Sequence, residues 1–211
     1  LVSAYAIGVT CGAPLLAVAK QFRPKSILLF LMCLVFAGAL LSAVAPSYGV
    51  LLVARFISGL PHGAYFGVAS IVAVRLADEG HQTGAVSIMI AGMTVANLLG
   101  VPLETALSAH ISWRMPFVVV LFYSLLVIYY IWKWVPRMEA TPSNGYKGQF
   151  RFLKSGAPWL ILFATMLGNG GVFCFYSYVT PILTRDSGIP HEYMSVMMIL
   201  AGFGMVVGNL M

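Results

Sequence analysis

Seven apolar runs separated by short polar connections mark out this chain. They extend from about Leu1 to Ala19, Ile27 to Ala45, Tyr48 to Val74, Gly84 to Leu107, Phe117 to Trp134 and Trp159 to Leu183, with a seventh beginning near Met194. Most have the length, about 20 residues, that carries a helix across a bilayer. In hydrocarbon the backbone amides must be satisfied within their own segment, so each run is expected as a helix. A barrel would need short alternating strands, and nothing here alternates over long stretches.

Composition agrees with this pattern. Apolar residues make up 60% of the chain and charged residues 9%, with a mean hydropathy of +0.92, against about 25% charged in soluble proteins. A soluble chain of 211 residues has no interior large enough to hide that much apolar surface, so this is an integral membrane protein. Cys11, Cys33 and Cys174 all lie inside apolar runs at no ligand or redox spacing and read as small packing residues. No cofactor or metal ion is expected. The chain opens and stops inside apolar runs and carries no signal peptide pattern, so it reads as an internal piece of a longer polytopic protein.

The formal charge of +6 has a topological explanation, so no nucleic-acid partner is expected. Lys20, Arg23, Lys25, Arg75, Lys133, Arg137, Lys147, Arg151 and Lys154 fall in the first, third and fifth connections, whereas the opposite connections hold only Arg114 and Arg185. Basic loops stay in the cytoplasm, so the odd connections are expected there. The longest of these, Val135 to Ser155, contains ATPSNGYKGQ and reads as a cytoplasmic linker between two bundles. Tyr123, Tyr129, Tyr130, Trp132 and Trp134 are expected as interfacial anchors at the cytoplasmic end of the fifth run.

The third run carries the densest chemistry. Arg55, Gly59, His62 and Phe66 fall on one narrow face at about 100° per residue. Gly59, Gly63 and Gly67 step along an adjoining edge where another helix can approach closely. A charged Arg55 at the bilayer centre would cost roughly 3 kcal/mol or more, so this face looks into protein or water. Arg55 is either an anchor to neighbouring carbonyls or part of a proton-coupling site. His62 is either a neutral, hydrogen-bonded core residue or a proton carrier, since a free imidazole titrates near pH 6.5. Pro61 removes one helical hydrogen bond, from the carbonyl of Ile57.

In the fourth run, Glu104 shares a face with Asn97 and matches Arg55 in depth. It is either a coupling partner of Arg55 or a solvated interfacial acid. Gly92, Ala96 and Gly100 read as a packing seam. In the sixth run, Thr165, Asn169, Phe173, Tyr176 and Thr180 fall within about 60° of one another. They form either a packed polar seam or a wall for a solute with both polar and apolar parts. The glycines Gly168, Gly170 and Gly171 would let that helix bend. No HExxH, GxSxG or phosphate-cradling loop points to an enzyme.

Arg55-Phe-Ile-Ser-Gly59-Leu-Pro-His62-Gly63 resembles the fourth-helix arginine–glycine motif of major facilitator superfamily transporters. It is most similar to the drug:proton antiporter branch that includes arabinose efflux permease-like proteins. Gly100-Val-Pro102 followed by ISWRMPF (Ile111 to Phe117) resembles that branch's fifth-helix motif and the loop after it. AYAIG…GAPL (Ala4 to Leu15) and Lys20-Gln-Phe-Arg23-Pro-Lys25 resemble its second helix and second-to-third loop. Two departures are Val18-Ala19 before the basic cluster, where an acid is common, and Glu104 after the motif's proline.

The resemblance implies an all-α integral membrane protein, with about seven transmembrane helices of a twelve-helix, two-bundle fold. Residues 1–135 would be helices 2–6 of the N-terminal bundle, 136–154 the cytoplasmic linker, and 155–211 the start of the C-terminal bundle. It implies proton-coupled efflux of a small organic solute, drug-like or sugar, by a protein in the plasma (bacterial inner) membrane. Its partners would be substrate, protons and lipid, and it would be a monomer when full length. Arg55, His62 and Glu104 are the coupling candidates; Phe66, Asn97, Thr165, Asn169, Phe173, Tyr176 and Thr180 the substrate candidates. Gly59, Gly63, Gly67, Gly92, Gly100, Pro102, Lys20 and Arg23 are the packing and gating candidates. A membrane sensor or assembly protein on the same fold, or an inactive fragment, are the alternatives.

Overall fold

The computed structural model describes residues 1–14, 22–140 and 154–210, without side chains at 169, 176, 191, 205, 206 and 208–210. Among the described residues every regular element is helical: α1 (Val2–Gly12), α2 (Pro24–Ala43), α3 (Tyr48–Leu76), α4 (Gln82–Val95), α5 (Val101–His110), α6 (Met115–Trp134), α7 (Gly156–Pro181) and α8 (Met194–Leu210). Five spans are long and apolar enough to cross a membrane: Pro24–Ala43, Tyr48–Leu76, Gln82–His110, Met115–Trp134 and Gly156–Asp186. Val2–Gly12 and Met194–Gly204 are shorter apolar helices. A helix thus falls in each of the seven expected runs, and the protein is an all-α membrane protein. Lys20, Lys147 and Arg151 lie outside the described residues.

Local chemistry sets the helix ends. Prolines stand in the first turns of α2, α5 and α6, where the missing N–H is no loss. The Ser47 hydroxyl accepts a hydrogen bond from the Val50 N–H at 3.4 Å and caps α3. The turn after α3 passes through Gly80 at φ +85°, a conformation that costs glycine nothing.

The fourth run is expected as one regular helix, but it contains a π turn at Ala96–Gly100 between α4 and α5. Pro102 is the reason. It cannot donate to the carbonyl four residues back, at Leu98, and the ladder widens just before it: the Val101 N–H reaches the Ala96 carbonyl. The same device follows Pro181, where Ile182–Asp186 forms a second π turn closed by Ser187 N–H to Ile182 O at 3.2 Å. Such insertions re-aim side chains and recur at functional sites; Asn97 sits in the first of them.

The chain divides into two compact units, Leu1–Ser143 and Asn144–Met211. In the first, α3 packs against α1, α2 and α4, and α2 packs in turn against α6. The apolar core lies toward one end: Ile27, Leu28, Leu31 and Met32 of α2 meet Ala64, Val68 and Val72 of α3 and Ile131 of α6. Apolar contact in lipid gives little driving force, so close approach matters more. The α1–α3 crossing shows it. Gly8 and Gly59 face each other so closely that a Cβ on either would run into backbone of the other helix, and Gly12 sits against the Leu60 backbone. The Gly8–Gly12 pair of α1 is therefore a crossing point. Gly38 of α2 likewise leaves space for Ser58.

Hydroxyls within the spans are quenched locally. Thr10, Ser42, Ser58, Ser70, Thr105 and Thr184 each donate to the carbonyl four residues earlier, at 2.7 to 3.0 Å. That is the least costly solution for a hydroxyl without water. At one end of the first unit, Arg114 Nη2 donates to the Ala45 carbonyl at 3.0 Å and tethers the α5–α6 turn to the α2–α3 turn. At the other, Lys25 Nζ donates to the Trp132 carbonyl at 2.7 Å and Arg75 Nη1 to the Glu139 carbonyl at 2.9 Å. In the second unit, Val179, Met194 and Met198 are buried apolar side chains among the described residues.

Candidate functional site

A cavity of about 310 Å³ opens in the first unit between α1, α2, α3 and α6. Its α3 wall is Arg55, Ser58, Pro61, His62, Tyr65 and Phe66. The face on which Arg55, Gly59, His62 and Phe66 are expected together is therefore shared between two tasks. Gly59 turns toward α1 and provides the crossing point, while Arg55, His62 and Phe66 line the cavity. Spacing explains the division: Arg55, His62 and Phe66 follow one another at seven and four residues, and Gly59 leads the parallel row Gly59, Gly63, Gly67.

Opposite α3, Tyr5 of α1 provides the groups that hold the polar side chains. Its hydroxyl lies 3.0 Å from Nδ1 of His62, donating when Nδ1 is unprotonated and accepting when it carries a proton. Its ring packs edge-on against the imidazole with centroids 5.9 Å apart. The Arg55 guanidinium carbon stands 4.7 Å from the Tyr5 centroid and 5.7 Å from that of Phe117 on α6. Both fall within cation–π range, where a desolvated pair is worth about 2 kcal/mol. His62 packs next against Phe66, with centroids 5.3 Å apart. Arg55 is thus held by aromatic faces on two other helices, and its charge remains available to the cavity.

Glu104 is half-buried on α5, and its charge interacts with that of Arg55 through space. Of the three coupling candidates, Arg55 and His62 meet at the cavity, whereas Glu104 does not line it. Asn97 is half-buried in the π turn and lies off the cavity wall as well. Pro102 is buried.

Other candidates fall elsewhere. Gly63 is in ordinary contact with Ala13, whose Cβ is 3.4 Å from a Cβ built on it, and Gly67 is half-buried. Gly92 and Gly100 differ: a Cβ on either meets nothing within 4 Å, so no described helix uses them as a seam. Their face of α4 and the π turn is left uncovered by α3. Arg23 lies nine residues before Met32, the first cavity residue of α2, about two and a half turns away. In the second unit, Phe173 is 68% exposed on α7, Thr165 is exposed and Thr180 half-buried. The side chains of Asn169 and Tyr176 lie outside the described residues.

Sequence reasoning missed several cavity residues. Tyr123 is expected as an interfacial anchor, but it lines the cavity with Phe117, Val120 and Ser124. It lies far enough from the end of α6 to share a face with Phe117 and Val120, at spacings of three. That spacing was a signal in the sequence. Tyr5 carried none beyond its place in a glycine-rich helix.

The family model described as Major Facilitator Superfamily matches residues 1–211. The protein AraJ of Escherichia coli (strain K12) is 43% identical over 212 residues, covering 100% of this chain and 54% of AraJ. "Inner membrane transport protein YdhP" of the same organism is 35% identical over 210 residues, with 99% and 54% covered. "Chloramphenicol resistance protein" of Streptomyces lividans is 29% identical over 214 residues, again with 99% and 54% covered. The chain spans about half the length of the curated relatives it matches.

Proposed function

The chain belongs to the Major Facilitator Superfamily, and from that premise we propose that it is part of a secondary transporter exporting a small organic solute in exchange for protons. The observation that carries this reading is the Arg55–Tyr5–His62 cluster, a charge and a titratable ring side by side in a cavity between apolar helices. Intramembrane ionisable groups are costly and mark pathways and proton relays. The relatives named for inner-membrane transport and for chloramphenicol resistance support an efflux role in a bacterial inner membrane.

Residues 1–135 would be helices 2–6 of the N-terminal bundle and 155–211 the first helices of the C-terminal bundle, joined by a cytoplasmic linker at 136–154. Rocking of the two bundles around a midplane site would alternate access between the two sides. Six aromatic or imidazole rings line the cavity, which suits a drug-like aromatic compound or a sugar, since rings offer flat apolar faces to either. Asn169, Tyr176 and their neighbours on α7 would contact the transported solute, and the whole protein would act as a monomer.

Coupling needs substrate and proton to compete. Arg55 is a fixed positive charge, and Glu104 is the acid whose charge reaches it. With Glu104 ionised the two charges offset each other. A proton on Glu104 or His62 changes the field in the cavity and therefore its affinity for solute. The full-length protein in proteoliposomes tests this. An imposed pH gradient should drive accumulation of a fluorescent aromatic cation or a labelled sugar, and collapsing it with an ionophore should stop transport. Flux that ignores the gradient would rule out proton coupling.

A further inference from the structure

Away from the proposed transport site, a second cavity of about 200 Å³ lies at the basic end of the first unit. Arg23, Lys25 and Ser26 from the start of α2, with Trp132 and Arg137 from the end of α6 and beyond, line most of it, and none of its lining residues is acidic. Three cations gathered around one cavity repel each other unless an anion joins them. Among the described residues, Lys25 alone of the three is held internally, by its 2.7 Å bond to the Trp132 carbonyl. Among the described residues, Arg23 and Arg137 are exposed and make no hydrogen bond or ion pair.

The backbone adds to the same potential. α2 starts here with Pro24 in its first turn, and the Arg23 side chain makes no capping bond. The start of this 20-residue helix also carries first-turn N–H groups without intrahelical partners and the positive end of the helix dipole. The Ser26 hydroxyl is a further donor. Depth points to the source of the anion. The cavity sits where two membrane-spanning helices end, and Trp132, at its mouth, is 65% exposed. Trp134 and Tyr129 are similarly exposed nearby, in the manner of residues at headgroup level.

We infer that this cavity is a binding site for the phosphodiester of an anionic phospholipid, with Arg23 and Arg137 as its free cations and Lys25 as the anchored one. Basic pockets between transmembrane helices have the right chemistry for such headgroups. A bound lipid would bridge the start of α2 to the segment that follows α6, and so brace the end of the bundle that leads into residues 141–153. The inference is independent of the transported solute and of the direction of transport.

Native mass spectrometry of the purified full-length protein, delipidated and then supplied with phosphatidylglycerol or phosphatidylcholine, tests this. Phosphatidylglycerol should be retained in preference to phosphatidylcholine. A cation close to the headgroup contributes about fivefold in affinity, so Arg23→Gln with Arg137→Gln should lower phosphatidylglycerol retention by about 25-fold. Phosphatidylcholine retention and the melting temperature of the delipidated protein should stay unchanged. Should the double variant fail to fold, each single variant should still show about a fivefold loss. Unchanged phosphatidylglycerol retention in these variants overturns the site. Equal loss of both lipids also overturns it, as general damage. Displacement of the lipid by millimolar inorganic phosphate would mean that the pocket takes free phosphate, and the lipid assignment would fall.

Discussion

The Tyr5 hydroxyl lies 3.0 Å from Nδ1 of His62 and joins α1 to α3 beside the cavity of the first unit. The same tyrosine presents its ring to Arg55 at 4.7 Å. One side chain therefore orients both Arg55 and His62, and the Gly8–Gly59 crossing allows it by bringing the two backbones together.

Separating the two roles of Tyr5 is the first test. Tyr5→Phe keeps the ring beneath Arg55 and removes the hydroxyl, so stability should fall by about 1 kcal/mol. If His62 carries the proton, His62→Gln should flatten the pH dependence of transport near neutrality, and Tyr5→Phe should displace it. Transport profiles from pH 5 to 9 that coincide for all three proteins would leave His62 a structural residue.

Arg55 is the sharper case. Arg55→Ala in the full-length protein should abolish gradient-driven accumulation while downhill exchange partly survives. Arg55→Lys should restore it only in part, because an ammonium lacks the planar guanidinium that stacks on Tyr5 and Phe117. Uptake in proteoliposomes with and without a pH gradient measures both. Full accumulation by Arg55→Ala would make Arg55 a packing anchor.

The glycines divide into two groups that sequence spacing treats alike. Gly59→Ala or Gly12→Ala would push a Cβ into opposing backbone and should cost about 1–3 kcal/mol. Gly92→Ala and Gly100→Ala point into open space and should be neutral or slightly stabilising. Melting temperatures in detergent compare the four; equal losses would mean that the Gly92 face is covered in the full-length protein.

Topology can be read with thiol reagents after Cys11, Cys33 and Cys174 are replaced by Ser. A cysteine at Ser143, in the connection rich in Lys and Arg, should resist an impermeant reagent outside intact cells. One at Ser187, exposed in the loop after α7, should react. The reverse pattern inverts the orientation.

The α7 face gives a fifth test. Tyr176→Ala and Asn169→Ala should each weaken binding of the transported solute by about tenfold, near the 1.4 kcal/mol expected for a lost contact of this kind, with expression intact. Unchanged binding in both removes α7 from the substrate wall.

Apolar run length was enough, without coordinates, to mark where seven helices fall, because a bilayer admits little else. The family was legible only through the resemblance of the Arg55–Gly63 motif, while the cost of a charge inside such a run marked Arg55 itself as more than incidental. Tertiary structure decided what helical spacing leaves open. Arg55, Gly59, His62 and Phe66 share a face, but only the path of α1 determines that Gly59 meets Gly8 while the others meet a cavity. Tyr123 moved from anchor to cavity wall because α6 packs beside α2 along that face. The π turn before Pro102 shifts every later side chain of its helix, including Glu104. Periodicity gives the angle of a side chain about its own axis. Which neighbour stands at that angle depends on how two helices cross, and that is set by contacts between residues far apart in the chain.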